Sequence, residues 1–158
     1  MSFESLDQPD LTPLRAAAED AEIAEAISLV RDSGGHSLPD DHPLASLAHG
    51  IARSLVEAGF TMHHCDQHHP LYRLGGVCLM AITTPHGADH AGIVVSWTCH
   101  NLLSLDWERY DACCDINEQV NWVLCYTLRD FGYLVQDFGS GGAGLVIGER
   151  DRGAEAEE

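Results

Sequence analysis

The chain has 158 residues and a formal charge of −17, from 25 acidic and 8 basic side chains, and 45% of it is hydrophobic. That length suits a single domain with a core of ordinary size, and the charge works against direct binding of nucleic acid or an anionic membrane, both of which need a basic footprint. Every basic residue is arginine, which excludes a lysine Schiff base, a lysine general base and the lysine of a phosphate-binding loop.

Residues 1–12 are polar and read as a disordered N-terminus without the basic and apolar regions of a signal peptide. No apolar run is long enough to span a bilayer. The six cysteines include no C-x-x-C pair, so they read as free thiols in a reducing compartment, and the expected location is the cytoplasm.

The first predicted helix covers 13–32, with Leu14, Ala17, Ala21, Ala24, Ile27 and Val30 at helical spacing and Gly34-Gly35 as its stop. Residues 33–42 read as a linker. A second helix follows, with Pro43 in its first turn, Asp40 and Asp41 at the positive end of its dipole, and Gly59 at its end. Its apolar stripe is Leu44, Leu47, Ala48, Ile51, Leu55 and Val56.

Three strands are predicted next, at 60–65, 74–83 and 91–99, the second apolar on both faces and therefore central. Residues 84–90 read as the hairpin loop between the last two. A long helix over 106–131 has Asp106 as N-cap and Gly132 at its stop. Its expected core face is Cys113, Ile116, Val120, Val123, Leu124 and Thr127. Strands at 133–138 and 143–147 flank a glycine turn, and 149–158 reads as a disordered acidic tail.

The order α-α-β-β-β-α-β-β, with short connections between strands, implies an antiparallel meander covered by helices on one face. The expected fold is α+β, with a sheet of about five strands in a single domain over 13–148.

The densest chemistry lies at 63–69, His63-His64-Cys65-Asp66-Gln67-His68-His69. Alternate residues of a strand share a face, so His63 and Cys65 would point one way and His64 and Asp66 the other. The meander brings His100 to the same edge of the sheet. His63, Cys65, His68 or His69, and His100 are therefore the candidate set for zinc or another late transition metal, since imidazole and thiolate suit such ions. The same cluster also reads as an exposed polar turn, or as a pH sensor titrating near neutrality. His86, Asp89 and His90 read as surface-loop residues.

Cys99 and His100 are neighbours that face opposite ways on a strand and cannot form a dyad with each other. Cys65 with His100 could form one across strands on the meander geometry alone, and each thiol otherwise reads as a core or idle cysteine. The glycine run at 139–144 precedes a strand rather than a helix, so it reads as a hairpin turn and not a phosphate loop.

On the long helix, Asp115, Glu118, Trp122, Tyr126 and Arg129 form a second stripe opposite the core face, with Trp122 and Tyr126 one turn apart. Two large aromatics on a face that should be polar suggest a surface for a partner or a second copy, with Glu118 and Arg129 beside them. Packing of the N-terminal helix over that stripe is the alternative. Asn117 and Asn121 sit at the margin of the buried side and read as hydrogen-bonding to loop backbone.

Residues 43–148 resemble the bacterial sensory-transduction-regulator family, which has the type III secretion chaperone-like fold. The likeness is carried by a helix, a three-stranded meander, a second helix bearing two asparagines, and two further strands around a glycine turn. Here the asparagines are Asn117 and Asn121, spaced N-x-x-x-N against the family's N-x-x-N. The Ala, Gly, Asp and Arg bias also resembles that of small actinobacterial proteins. The resemblance implies a non-enzymatic, dimeric, partner-binding protein and implies no metal.

The expectation is therefore a cytoplasmic regulator or chaperone-like module that binds a basic protein through Trp122 and Tyr126. A metal-binding protein or metalloenzyme built on the cluster at 63–69 is the main alternative. An acidic mimic of nucleic acid is the third.

Overall fold

The computed structural model describes residues 12–64, 68–83 and 91–151. The fold is α+β: a five-stranded, mostly antiparallel sheet with helices against one face. The predicted loop at 84–90, with His86, Asp89 and His90, lies outside the described residues, as do Cys65, most of the N-terminal segment and most of the acidic tail.

Helix α1 spans Thr12–Ser28 and stops four residues short of the predicted end. Beyond it the chain forms a short strand β1, Arg31–Asp32, which pairs in parallel with Met80 and Ala81. The double glycine therefore ends no helix. It forms the turn after β1, where Asp32 Oδ1 accepts from the Gly34 and His36 N–H groups at 2.9 Å each and Gly35 takes φ +80°. The buried face of α1 also differs from expectation. Ile23, Ala26 and Val30 are inside, while Ala17, Ala21 and Ala24 are exposed. Alanine is too small to define a face when larger apolar residues compete for the core.

Helix α2, Ala45–Glu57, buries Ala48, Ile51, Ala52, Ser54 and Leu55, close to the predicted stripe. It starts two residues after Pro43, and Gly59 ends it at φ +90°.

Strands β2 (Gly76–Ile82) and β3 (Gly92–Thr98) pair antiparallel from Gly76↔Thr98 to Ile82↔Gly92. β5 (Gly144–Glu149) pairs antiparallel with β3, and β4 (Tyr133–Asp137) pairs antiparallel with β5, giving the order β1-β2-β3-β5-β4. Glu149, predicted to begin the tail, closes β5, and Arg150 N–H donates to Gly132 O at 2.7 Å.

Residues 60–65 were expected to be the first strand of an antiparallel meander. Instead the described residues 60–64 touch β2 through one isolated parallel bridge, Met62↔Val77. His63 N–H donates to Val77 O at 2.8 Å and Val77 N–H donates to Thr61 O at 2.9 Å. The chain enters β2 from a 3₁₀ turn at Tyr72–Leu74, and the parallel sense of the bridge marks the return as a crossover rather than a hairpin. Gly75 and Gly76 make the close approach possible. Their φ values are +73° and +122°, and a Cβ would stand 2.5 Å from Thr98 O at Gly75 and 2.6 Å from Thr61 O at Gly76.

Helix α4, Tyr110–Asp130, crosses the same sheet face as α2. The core there joins Val77, Leu79, Ala81, Ile93, Val95 and Val146 of the strands to Ile51, Leu55, Leu124 and Leu128 of the two helices. The opposite face carries a smaller cluster centred on Ile82, Val94 and Leu145. Between β3 and α4 the chain makes a one-turn helix α3, Asn101–Ser104, and a 3₁₀ turn at Trp107–Arg109. Asp106 is a cap, as predicted, but of the 3₁₀ turn: it accepts from Glu108 N–H at 3.0 Å. Among the described residues no helix is long and apolar enough to cross a membrane.

Candidate functional site

The buried side of α4 is rotated from the predicted one. Cys113, Asn121, Leu124, Cys125 and Leu128 are inside, whereas Ile116 and Val123 are exposed. Asn121 causes much of the rotation because its side chain is committed twice. Its Oδ1 accepts from Trp97 N–H at 2.6 Å and its Nδ2 donates to Gly141 O at 2.9 Å. One turn earlier, Asn117 Oδ1 accepts from Cys99 N–H at 3.0 Å. The two asparagines thus satisfy backbone groups at the end of β3, and Asn121 also ties α4 to the β4–β5 turn. A buried amide that holds its bonds outweighs the transfer of a valine methyl pair.

That geometry turns Trp122 and Tyr126 outward, 56% and 58% exposed. Trp122 rests on the glycine turn. A Cβ on Gly142 would stand 2.9 Å from the indole Cδ1, and Gly142 takes φ +78°, so glycine is required there twice over. Trp122, Tyr126, Glu118 and Arg129, the four predicted contact residues, line one groove of about 430 Å³, together with Cys125 and Asp137. The Arg129 guanidinium lies 5.7 Å over the Tyr126 ring and donates to Val135 O at 3.3 Å. It is thereby a fixed wall of the groove. Burial pushes the Cys125 thiol pKa up, so this cysteine is a poor nucleophile. Helix α1 packs against α2 and leaves this face of α4 uncovered, contrary to the alternative in which it covers the stripe.

The histidines divide as strand alternation predicts, but their partners differ. His63 and His64 are both buried. The His63 ring lies 5.2 Å from the Tyr72 ring, and burial is the main cause that lowers its pKa. His64, omitted from the predicted metal set, stacks on His69 with ring centroids 3.7 Å apart and planes at 7°, and its Nε2 is 3.2 Å from Glu25 Oε1. His69 was expected to join His63. The crossover folds the 3₁₀ turn back so that it meets His64 instead.

Two further ring nitrogens serve the backbone. Leu71 N–H donates to His69 Nδ1 at 3.1 Å, and Leu102 N–H donates to His100 Nδ1 at 2.9 Å, where His100 caps α3. His68 is exposed. Among the described residues, no three His, Cys, Asp or Glu side chains gather so as to hold a metal ion. Cys99, Cys113, Cys114 and Cys125 are free thiols, and burial, with Cys113 beside it, pushes the Cys99 thiol up to about 11.

A second groove, absent from the sequence-based expectations, has a volume of about 950 Å³. Leu74 forms part of one wall, and Leu102, Leu105 and Trp107 supply its other apolar residues. Trp107 is 90% exposed, Leu102 76% and Leu105 74%. The signal was present in the run Leu102-Leu103-Ser104-Leu105-Asp106-Trp107, too apolar for a connector and too short to show a period.

Comparison with family models, with curated proteins and with solved structures finds no match to this chain.

Proposed function

We propose that this chain is a non-enzymatic, cytoplasmic protein-binding module, a regulator or chaperone-like protein, that takes a basic partner on the outer face of α4. One observation carries the reading: Trp122 and Tyr126 stand more than half exposed on a helix whose opposite face is fully packed. Large aromatics left in water on a rigid helix are the usual anchors of a binding surface. Asp111, Asp115 and Glu118 continue the same stripe toward the N-terminus of α4, all exposed and without an ion pair among the described residues. That row favours a partner bearing arginine or lysine and sets the expected salt dependence.

The test is affinity capture from the source cell with the untagged chain coupled to resin, beside Trp122→Ala, Tyr126→Ala and a remote control, Glu57→Gln. The expected result is a basic protein retained by the parent and the control, released as salt rises, and lost by both aromatic variants. Equal recovery by Trp122→Ala and the parent would refute the reading.

A further inference from the structure

The groove beside α3 lies away from the Trp122 face and calls for a different occupant. We infer that it is the contact through which two copies of this chain form a two-fold dimer, with Trp107 of each copy seated between Leu74, Leu102 and Leu105 of the other. This goes beyond the proposed function and does not depend on it.

Shape is the first argument. A two-fold interface must be self-complementary, presenting a projection and the recess that accepts it on the same patch. Trp107 is the most exposed large apolar side chain among the described residues, and it lines a groove whose other apolar residues are leucines. The groove is shallow and open to solvent, so the indole of a second copy would lie across its leucines. Tyr110, with its ring 6.4 Å from that of Trp107, extends the apolar surface beyond the groove. Each aromatic side chain can bury roughly 150–250 Å². Two of them with three leucines therefore supply much of the ~800 Å² per partner that a stable interface needs.

Charge is the second argument, and it selects a second copy over a basic protein. A chain of formal charge −17 repels its own copies over most of its surface. The groove is an exception. Asp106 is neutralised by Arg109, whose Nε donates to its Oδ2 at 2.8 Å. The remaining full charges of the lining are Arg73 and Glu108, one of each sign, and neither makes an ion pair among the described residues. A two-fold axis pairs Arg73 of one copy with Glu108 of the other, twice. A strongly basic partner would gain nothing from this balanced lining and would be drawn to the acidic row on α4.

The test is sedimentation equilibrium of the full chain over a wide concentration range, for the parent and four variants: Trp107→Ser, Arg73→Glu, Glu108→Arg, and the last two combined. All three positions are exposed, so the variants should keep the parent's fold, which is checked in parallel by circular dichroism. The expected result is a dimeric parent and a dissociation constant raised at least ~30-fold by Trp107→Ser, as for a central aromatic anchor. Each single charge reversal should weaken the dimer about tenfold, and the double reversal should restore it to within about threefold of the parent.

A parent that stays monomeric at its highest soluble concentration overturns the proposal, as does a dimer indifferent to Trp107→Ser or a double reversal no tighter than the singles. A monomer that instead binds a leucine- and arginine-rich probe peptide through Trp107 assigns the groove to another protein and also overturns it. Failure here leaves the α4 reading intact, because Trp107→Ser should still capture the basic partner and Trp122→Ala should still dimerise.

Discussion

Helices α2 and α4 lie on the same face of one sheet and feed the same core, yet their outer faces are made of different residues. The exposed positions of α2 are Ser46, His49, Arg53 and Glu57, the polar composition that solvent alone would select. Those of α4 include Ile116, Trp122, Val123 and Tyr126. Both helices satisfy the sheet; only α4 keeps apolar surface that folding does not use. The difference separates what the fold needs from what it leaves for contact with something else, and it can be tested residue by residue.

The inner faces should behave alike. Leu55 of α2 and Leu124 of α4 are both fully buried in one cluster. Leu55→Ala and Leu124→Ala should each cost about 2–5 kcal/mol of unfolding free energy in a denaturant titration. A Leu124→Ala cost below about 1 kcal/mol would mean that α4 is docked more loosely than α2, and would weaken any claim about its outer face.

The buried polar groups should differ. Asn121→Ala removes the acceptor of Trp97 N–H and the donor to Gly141 O together. The expected loss is about 1–3 kcal/mol, with increased hydrogen exchange in the glycine turn. On α2 the corresponding group is Ser54, whose hydroxyl donates to Gly50 O within its own helix at 2.9 Å and lies 3.4 Å from the Tyr133 hydroxyl. Ser54→Ala should cost roughly 1 kcal/mol or less, since no sheet backbone group depends on it. Equal costs would show that Asn121 does not anchor α4 in the way its bonds indicate.

These two helices also show what was legible in the sequence. α2 was, because Leu47, Ile51 and Leu55 mark a face whose buried polar member, Ser54, bonds within its own helix, and Gly59 marks the stop. The C-terminal end of α4 was legible from Gly132, but its start at Tyr110 was not, because Asp106 caps the 3₁₀ turn before it. Its orientation was not, because hydrophobic spacing gave Ile116 and Val123 to the core, while the contacts of Asn121 turned the helix toward β3 and the turn. A buried asparagine with two backbone partners from distant segments carries no sign in its own sequence neighbourhood. β1 was missed because two residues have no period, and 60–65 was misassigned because a strand-like pattern cannot state which way its partner runs. The exposed pair Trp122 and Tyr126 was legible from α4 alone, although the glycine turn that completes its groove lies outside that helix. The Trp107 groove was not, since it needs the 3₁₀ turn at Tyr72–Leu74 as its second wall.

Alkaline pH should divide the two sides of the core. α2 buries no thiol or other ionisable side chain, whereas α4 and the end of β3 bury Cys99, Cys113 and Cys125. Burial holds the Cys99 thiol pKa up at about 11 and raises that of Cys125. An unfolded chain ionises both thiols near 9, so above 9 the unfolded state has released protons that the folded state still holds, up to about 11 for Cys99. Their contribution to stability is complete below pH 9 and is lost as pH rises through that window. The expected outcome is a melting temperature that falls above pH 9, with amides of α4 losing protection before those of α2. Uniform loss across both helices would place the alkaline transition elsewhere.

The smallest effect on stability should be the most informative. Trp122 is more than half exposed and its inner edge rests on Gly142, which has no side chain to lose contact with. Trp122→Ala should therefore change the unfolding free energy by only about 0.5–1 kcal/mol, near the range of ordinary surface substitutions. An interface anchor of this kind should nonetheless cost 2 kcal/mol or more of binding, roughly 30-fold in affinity. Structural and interface roles thus predict opposite pairs of numbers for one residue. If Trp122→Ala instead unfolds the protein as readily as Leu124→Ala, the indole belongs to the core, α4 is as fully used by the fold as α2, and the contrast between the two helices disappears. If stability holds while capture of the basic partner fails, the outer face of α4 is preserved for contact, and its cost to solubility is explained by what it binds.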